Sequence, residues 1–366
     1  MGVKSSPFAG DAAIVKQMQR RAFVQASLGS VVCALPACRK PDTRAEVLRA
    51  LIERVLVPNV DTVAKDSRQL ELDVAVLAEP SVETLRAAQH AWQRALSSWK
   101  RVDAFRIGPI SESNSLMRVM FWPARTAGIE ALLQGTQAID AASIDVMGVD
   151  RRGLFALEYL LFREEPEEQT AARFSGASGE RRAGLARALA ANVSLYADRV
   201  VHALGNGQAY ASKFAEAGQD SVNRLVAQLV YTVENVSANR FARTLRLVET
   251  GNLKPSDIEG GSGRMSQQIA LSSLRASEEL YLAAERGLCR LVAAQSPAVD
   301  RALRLAFAQS ITAVTGLGAP LEQVAQRDRA SFDAAALAVK KLERALKVDL
   351  ASVLGVTSTF ASVDGD

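Results

Sequence analysis

The chain has 366 residues, a formal net charge of +4 and 48% hydrophobic residues, with only two histidines and three cysteines. The first 37 residues hold four basic side chains and one acidic one, so the rest of the chain is nearly neutral, with 40 basic and 39 acidic residues. No basic field remains to steer a polyanion, which argues against nucleic acid as a partner.

Residues 20–37 have the order of features expected of an export signal. The pair Arg20-Arg21, with a phenylalanine at position 23, resembles a twin-arginine signal. The uncharged, weakly apolar stretch over residues 22–37 is shorter and more polar than the roughly 20 apolar residues that span a bilayer. We therefore predict that residues 1–37 form a signal peptide that is removed on export and takes no part in the fold.

A lipid-attachment site follows directly. The stretch ends in a sequence that resembles the lipobox of bacterial lipoproteins, Leu35-Pro36-Ala37-Cys38. In those proteins the signal is cut before the cysteine, whose thiol carries a diacylglycerol. An aspartate after the cysteine tends to retain such proteins at the inner membrane, but this chain has Arg39 there. The sequence thus predicts a lipid anchor at Cys38 and a periplasm-facing lipoprotein of the cell envelope, at the outer membrane.

The cysteines fit an exported chain. Cys33 would leave with the signal and Cys38 would be acylated, so Cys289 alone would keep a free thiol and no intramolecular disulfide could form. Cys289 lies in a helical context, where a buried and inert thiol is expected. No pairing of cysteines indicates a metal site.

Almost every long segment after the signal has a helical period. In residues 81–105 and 222–245 the apolar positions recur at steps of three and four, which places them on one face of a helix. Residues 211–247 would make one helix of about 55 Å. Few runs alternate with period two, so we predict an all-α fold of packed helices. Similar periods occur at 44–57, 180–204, 265–294, 298–315 and 321–349.

Irregular stretches separate these helices, and long loops in a helical protein are where sites tend to lie. The most acidic of them, residues 163–179, is expected to be a solvated loop. The stretches are 106–126, 134–150, 163–179, 205–210 and 251–264.

Four segments, in order, resemble the imelysin-like proteins, also called the M75 peptidase family. They are residues 92–109, which contain Asp-Ala-Phe-Arg-Ile-Gly-Pro; 121–133, which begin Phe-Trp-Pro; 153–162, which begin Gly-Leu-Phe-Ala-Leu-Glu; and 354–366, which begin Leu-Gly-Val-Thr. The stretch Gly-Arg-Met-Ser at 263–266 also fits. Together they span nearly the whole chain after the signal.

The resemblance implies a fold of two four-helix bundles, related by pseudo-symmetry and packed around a cleft. We accordingly expect a first bundle over residues 38–205 and a second over residues 206–366. The resemblance also implies a bacterial envelope protein, often lipid-anchored and linked to iron acquisition. The one cofactor that it suggests is iron or another divalent metal.

The chain departs from the family at its hallmark, Gly-x-His-x-x-Glu, which was read as a metallopeptidase signature. The corresponding residues are Gly153, Phe155 and Glu158. A histidine and a glutamate three residues apart lie on one face of a helix and could ligate one cation, but phenylalanine has no lone pair to donate. Glu158 is therefore the only candidate metal ligand in the motif, whereas catalytic zinc sites use three protein ligands and a water.

The two histidines do not restore the missing ligand in the sequence. His90 and His202 match no position of the family motifs, and structural or surface roles are expected for both. They could still join Glu158 in space, but nothing in the sequence requires it.

Glu158 itself has three possible roles. It has apolar neighbours, so its carboxylate must be paired or hydrogen-bonded, or its pKa will rise. It could be a buried anchor that fixes loops between the bundles, a ligand-binding group in the cleft, or a catalytic base. Trp122, Arg264 and Ser266 are the further candidate cleft residues, whereas Trp92 and Trp99 are expected in the core. The anchor's partner would be a loop amide or one of four arginines, Arg106, Arg118, Arg125 and Arg264.

Two functions of different classes follow from these observations. The first is a non-catalytic lipoprotein that binds a ligand or a partner protein for iron uptake. The second is a metal-dependent peptidase of the M75 type. Phe155 favours the first, because it removes the histidine that the second needs. A third hypothesis is an accessory subunit of a periplasmic redox enzyme.

Overall fold

The structure is a computed structural model, and it describes residues 43–163, 165–251 and 253–356. The predictions for the signal peptide, the twin arginines Arg20 and Arg21, and the lipidation site Cys38 lie outside the described residues, as does most of the C-terminal family segment. Within the described ranges the chain is built from helices and contains no strand. The predicted all-α class is confirmed.

The helices of the first half of the chain, up to residue 204, are given in order. They are α1 (Thr43–Leu51), α2 (Val57–Ala75), α3 (Val82–Asp103), α4 (Pro109–Glu112), α5 (Ser115–Met120), α6 (Thr126–Gln134), α7 (Ala141–Asp145), α8 (Gly153–Leu161), α9 (Glu167–Ala172) and α10 (Gly176–Leu204). A π-helical turn (Ile52–Leu56) joins α1 to α2, and 3-10 turns lie at Val76–Ala78 and Val149–Arg151.

The second half continues in the same manner. Its helices are α11 (Gln208–Glu216), α12 (Gln219–Asn235), α13 (Arg243–Glu249), α14 (Ser266–Leu282), α15 (Leu288–Gln295), α16 (Pro297–Gly316), α17 (Leu321–Arg327), α18 (Arg329–Ala345) and α19 (Ala351–Val353). Two further π-helical turns, Val236–Ala242 and Leu346–Leu350, join α12 to α13 and α18 to α19, and a 3-10 turn lies at Pro255–Asp257.

The long helices pack in two sets. In the first half, α2 lies between α3 and α10, and α8 packs against both α3 and α10. In the second half, α12 and α16 each pack against α14 and α18. The two sets meet where α3 lies along α14. This packing is consistent with two bundles, while the boundary at 205/206 and the pseudo-symmetry stay predictions.

The strongest periodic segment forms the helix that the sequence predicts. Residues 81–105 become α3, which buries the stripe that includes Trp92 and Trp99. Ser81 caps its first turn through a reciprocal pair of hydrogen bonds with Thr84, a capping box. Both indoles lie in the core as expected, and their N–H groups are satisfied there: Trp92 Nε1 donates to Leu154 O at 2.7 Å and Trp99 Nε1 donates to a serine hydroxyl at 3.0 Å.

Three predicted helices are interrupted. The expected helix over 211–247 is wrong in its first part, because Gly218, at φ 55°, separates α11 from α12. The segment 265–294 breaks after α14, where three successive residues, Ala283 to Glu285, take positive φ values. The segment 321–349 breaks at Asp328, whose carboxylate caps α18 by accepting a hydrogen bond from the Ser331 amide.

The described residues also show whether any helix could span a membrane and whether Cys289 is buried as expected. Among the described residues, no helix combines the length and the apolarity that a membrane crossing requires. Cys289 is buried at the start of α15, as expected, and burial raises the pKa of its thiol.

Candidate functional site

Glu158 lies on α8 with only 6% of its surface exposed. Its Oε1 accepts a hydrogen bond of 2.9 Å from the backbone N–H of Gly263. Burial raises the pKa of this carboxyl to about 8, and the nearby Glu259 carboxylate adds to the rise, while hydrogen bonds from the Gly263 and Ser262 amides oppose it. Of the partners that the sequence suggests, a loop amide is therefore the one found.

The loop that meets Glu158 is fixed on α3. Gly263 is required at the contact, because a Cβ there would lie 2.4 Å from the Trp92 ring. The carbonyl of Gly263 accepts a hydrogen bond of 3.2 Å from Gln93 Nε2. Within the loop, the Met265 N–H donates to the Gly260 carbonyl at 2.8 Å. Glu158 thus binds the N–H of Gly263, and Gln93 on α3 binds its carbonyl.

The other two residues of the hallmark serve packing. Gly153 begins α8 at φ 74°, and a Cβ there would lie 2.3 Å from the Val119 carbonyl oxygen, so α8 can approach α5 this closely only at a glycine. Phe155 is 2% exposed and belongs to the hydrophobic core. Gly153 has no side chain to offer a ligand, and the Phe155 ring is buried in the core.

A cavity of about 200 Å³ lies beside the loop and holds a buried network of charges. Glu259 accepts from Lys100 Nζ at 2.5 Å and also pairs with Arg240. Burial alone would raise the pKa of Glu259, but the two cations outweigh it and lower the pKa below its ordinary value. All three side chains line the cavity, so its wall carries fixed charge.

An aromatic side chain and a free cation complete this cavity. Trp122 is half-buried, and the Arg243 guanidinium lies 4.9 Å from its ring centroid. Arg243 is exposed, and in the part of the chain that the structure describes it has no carboxylate partner. On the same wall Arg106 pairs with Asp103 at 2.5 Å.

Arg264 and Ser266 are only two residues apart but line different concavities. The hydroxyl of Ser266, at the start of α14, lines the first cavity, donates to Glu322 Oε2 at 2.6 Å and accepts from the Leu321 N–H at 2.9 Å. Arg264, exposed and at φ 58°, lines a second concavity of about 650 Å³ together with Tyr159. We call these two concavities, both lined by residues of the 253–264 loop, the cleft.

The predicted site residues are therefore only partly brought together. Trp122 and Ser266 line the first cavity, Arg264 lines the second, and Glu158 lies behind the loop that both share. The first cavity is also lined by four charged residues that the sequence analysis missed: Lys100, Arg240, Glu259 and Arg243. Of these, only Lys100 has a signal in the sequence that could have indicated its burial, because it directly follows Trp99 in the apolar stripe of α3.

The profile of one protein family, described as Imelysin, matches residues 56–348. The chain belongs to the imelysin family. Two solved structures share its fold at low sequence identity. A candidate iron-regulated protein A precursor from Parabacteroides distasonis is 15% identical, with a TM-score of 0.72 over 86% of this chain and 95% of that one. An imelysin-like protein from Psychrobacter arcticum is 16% identical, with a TM-score of 0.67 over 86% and 96%. No curated protein matches the chain.

The hallmark residues of this imelysin do not fit a metal. Phe155 offers no ligand atom, and the Glu158 carboxyl is committed to the loop amide. The two histidines, His90 and His202, are both exposed, unlike Glu158. Across the described ranges, no three histidine, cysteine, aspartate or glutamate side chains gather closely enough to hold an ion.

Proposed function

We propose that this imelysin is a non-catalytic protein of bacterial iron uptake that binds a ligand or a partner protein in the cleft. The observation that carries the proposal is the pair Phe155 and Glu158. The residue in the histidine position packs into the core at 2% exposure, and the glutamate closes on the Gly263 amide. A pair that could ligate a cation in the family hallmark is thus replaced by a packing residue and a loop anchor.

The link to iron rests on the family and on the fold. The structural neighbour from Parabacteroides distasonis is named as an iron-regulated protein, and its fold covers 86% of this chain. The proposal carries that role over to this chain.

The proposed place of action is the cell envelope. Its support is the sequence of residues 20–38, with a twin-arginine pair followed by a lipobox. We propose export by the twin-arginine route, lipid attachment at Cys38 and residence at the outer membrane, facing the periplasm.

The cleft favours a ligand or partner surface with acidic groups. Arg243 is exposed, and its guanidinium lies over the Trp122 ring, 4.9 Å from the centroid. A guanidinium so placed can donate two parallel hydrogen bonds to a carboxylate. Lys100 and Arg240 both pair with Glu259, so in the first cavity Arg243 is the lining cation that has no carboxylate partner among the described residues.

Iron uptake by a deletion strain tests the proposal. Uptake of radioactive iron under iron limitation should fall in the deletion strain and recover with the wild-type gene. Arg243→Ala should restore it poorly, whereas the matched control Arg301→Ala, which removes another exposed arginine, should restore it fully. Normal uptake in the deletion strain would refute the role in iron uptake, and full recovery with Arg243→Ala would refute the use of the cleft.

The peptidase alternative has its own test. Purified protein incubated with protein substrates should show no cleavage that a chelator abolishes. Chelator-sensitive cleavage that is lost in Glu158→Gln would establish the peptidase instead.

The anchor is tested by fractionation. Cys38→Ala should leave the membrane fraction or stay unprocessed, and replacing Arg20 and Arg21 by lysine should leave precursor in the cytoplasm. Normal processing and membrane attachment of Cys38→Ala would rule out the lipid. Normal export of the double-lysine protein would point to the general secretory route.

A further inference from the structure

A third concavity, of about 840 Å³, shares no lining residue with the cleft. Three arginines line it: Arg118 on α5, Arg152 directly before α8, and Arg199 on α10. Their guanidinium groups surround the ring of Tyr196, at 5.8, 5.6 and 4.5 Å from its centroid. We call this concavity the arginine pocket.

The arginine pocket has an excess of positive charge. Among the described residues that line it, Asp145 is the only carboxylate. It accepts from the Tyr196 hydroxyl at 2.6 Å, and it lies 3.3 Å from Arg199 and 3.6 Å from Arg152. Three guanidinium groups therefore share one carboxylate, and two positive charges have no negative counterpart in the pocket.

Arg152 shows that this charge is built into the protein rather than scattered on its surface. Its side chain is 1% exposed and donates to the Asp145 and Ile144 carbonyls at 2.7 and 3.3 Å. Its Nε has no partner among the described residues. Burial and the neighbouring Arg118 cation lower the pKa of Arg152. An anion in the pocket would relieve both the repulsion and part of the desolvation cost.

We propose that the arginine pocket binds a doubly charged oxyanion, a phosphate group or a pair of carboxylates, carried on a larger organic molecule. Forked guanidinium groups match the oxygen spacing of both groups. The volume lies in the range of small-molecule sites, roughly 300–1,000 Å³, and exceeds what a bare ion needs. At the mouth, Met117 and Val146 are 60% and 87% exposed, which gives an apolar body a surface to contact.

The proposal is independent of the function proposed for the cleft, because the two sites share no residue. An oxyanion of this kind could come from two sources: a soluble organic anion or the headgroup of an anionic lipid. Titration calorimetry and vesicle sedimentation separate them. The full chain carrying Cys38→Ala is used, so that no lipid anchor contributes to vesicle binding.

The probes are citrate, inorganic phosphate, and vesicles that contain phosphatidic acid, whose phosphomonoester can carry two charges, compared with vesicles of phosphatidylcholine alone, at low salt. Arg118→Ala and Arg199→Ala should each weaken binding at least about tenfold, as expected for the loss of a charge-assisted hydrogen bond. The matched control is Arg187→Ala, which removes another exposed arginine of α10 that forms no ion pair in the part of the chain described. It should leave the affinity within about twofold.

Each outcome decides the proposal. Arginine-dependent binding of citrate or phosphate supports it and identifies a soluble ligand. Binding to phosphatidic acid vesicles alone, with the same arginine dependence, supports it and identifies a lipid headgroup. Absence of binding in both arms overturns it, as does equal binding by wild type and both arginine variants. Circular dichroism melting curves show that the variants compared are folded.

Discussion

Replacing Glu158 by glutamine tests the environment of the buried carboxyl group behind the 253–264 loop. The folded protein keeps the proton on Glu158 up to about pH 8, whereas the unfolded chain releases it near 4.5. Between these values unfolding releases a proton, so the free energy of unfolding falls as the pH rises. Glutamine cannot ionise, and its carbonyl can still accept from the Gly263 amide. The variant should therefore lose this pH dependence.

The size of the effect follows from the linkage relation. With the proton bound only in the folded state, the free energy of unfolding changes by about 1.4 kcal/mol per pH unit. From about pH 5.5 to about pH 7.5 the wild type should thus lose about 2.7 kcal/mol relative to Glu158→Gln. Other titrating groups are common to both proteins and cancel in this difference.

Urea unfolding at several pH values measures the difference. The matched control is Glu180→Gln, which removes an exposed glutamate of α10 that forms no hydrogen bond or ion pair in the described part of the chain. It should follow the wild type in parallel. If Glu158→Gln also runs parallel to the wild type over this range, Glu158 is already ionised in the fold and the reasoning is wrong.

Three further predictions concern stability and metal binding. Glu259→Gln should lower the free energy of unfolding by about 3–5 kcal/mol at pH 7, because it leaves a lysine and an arginine buried without their carboxylate; since the pKa of Glu259 is lowered in the fold, the deficit should shrink as the pH falls through that value. Gly153→Ala should cost more than about 1 kcal/mol, while Gly184→Ala, in the open interior of α10, should be neutral or stabilise by up to about 1 kcal/mol. Phe155→His should melt lower than the wild type, and added zinc or iron should not raise its melting temperature; a metal-dependent rise would contradict the packing role.

The sequence predicts well where local signals agree. Residues 81–105 have a helical apolar period, and α3 follows it; the structure adds a capping box at Ser81. The family motif places Gly153 and Glu158 on one helix, and α8 begins at that glycine. In both cases the information lies within a few residues of chain.

The breaks in the helices were not predictable in the same way. The apolar period continues on both sides of Gly218, so the pattern conceals the one residue that changes the direction of the chain. After α14, two alanines and Glu285 are good helix formers that nevertheless take left-handed conformations. Glu285 pairs there with Arg304 on α16 at 2.6 Å, so a tertiary contact accompanies a departure from local propensity.

The charged residues that line the first cavity of the cleft could not be predicted from the sequence either. Lys100, Arg240 and Glu259 come from three distant parts of the chain, on α3, in the π-helical turn after α12, and in the loop before α14. No spacing rule connects such residues. Each looks like an ordinary charged residue until the fold buries all three together.

The protonation of the Glu158 carboxyl explains why its raised pKa and the phenylalanine at position 155 fit together. A carboxyl group must lose its proton to ligate a metal, and a pKa of about 8 makes the proton a strong competitor at neutral pH. A second ligand on the same face of α8 would help to offset that competition, but Phe155 provides none. The same raised pKa suits an anchor, because a neutral acid can accept from the Gly263 amide without a buried charge. The loop held in this way carries Glu259 to one cavity of the cleft and Arg264 to the other, so Glu158 shapes the cleft through the loop while its own side chain stays behind it.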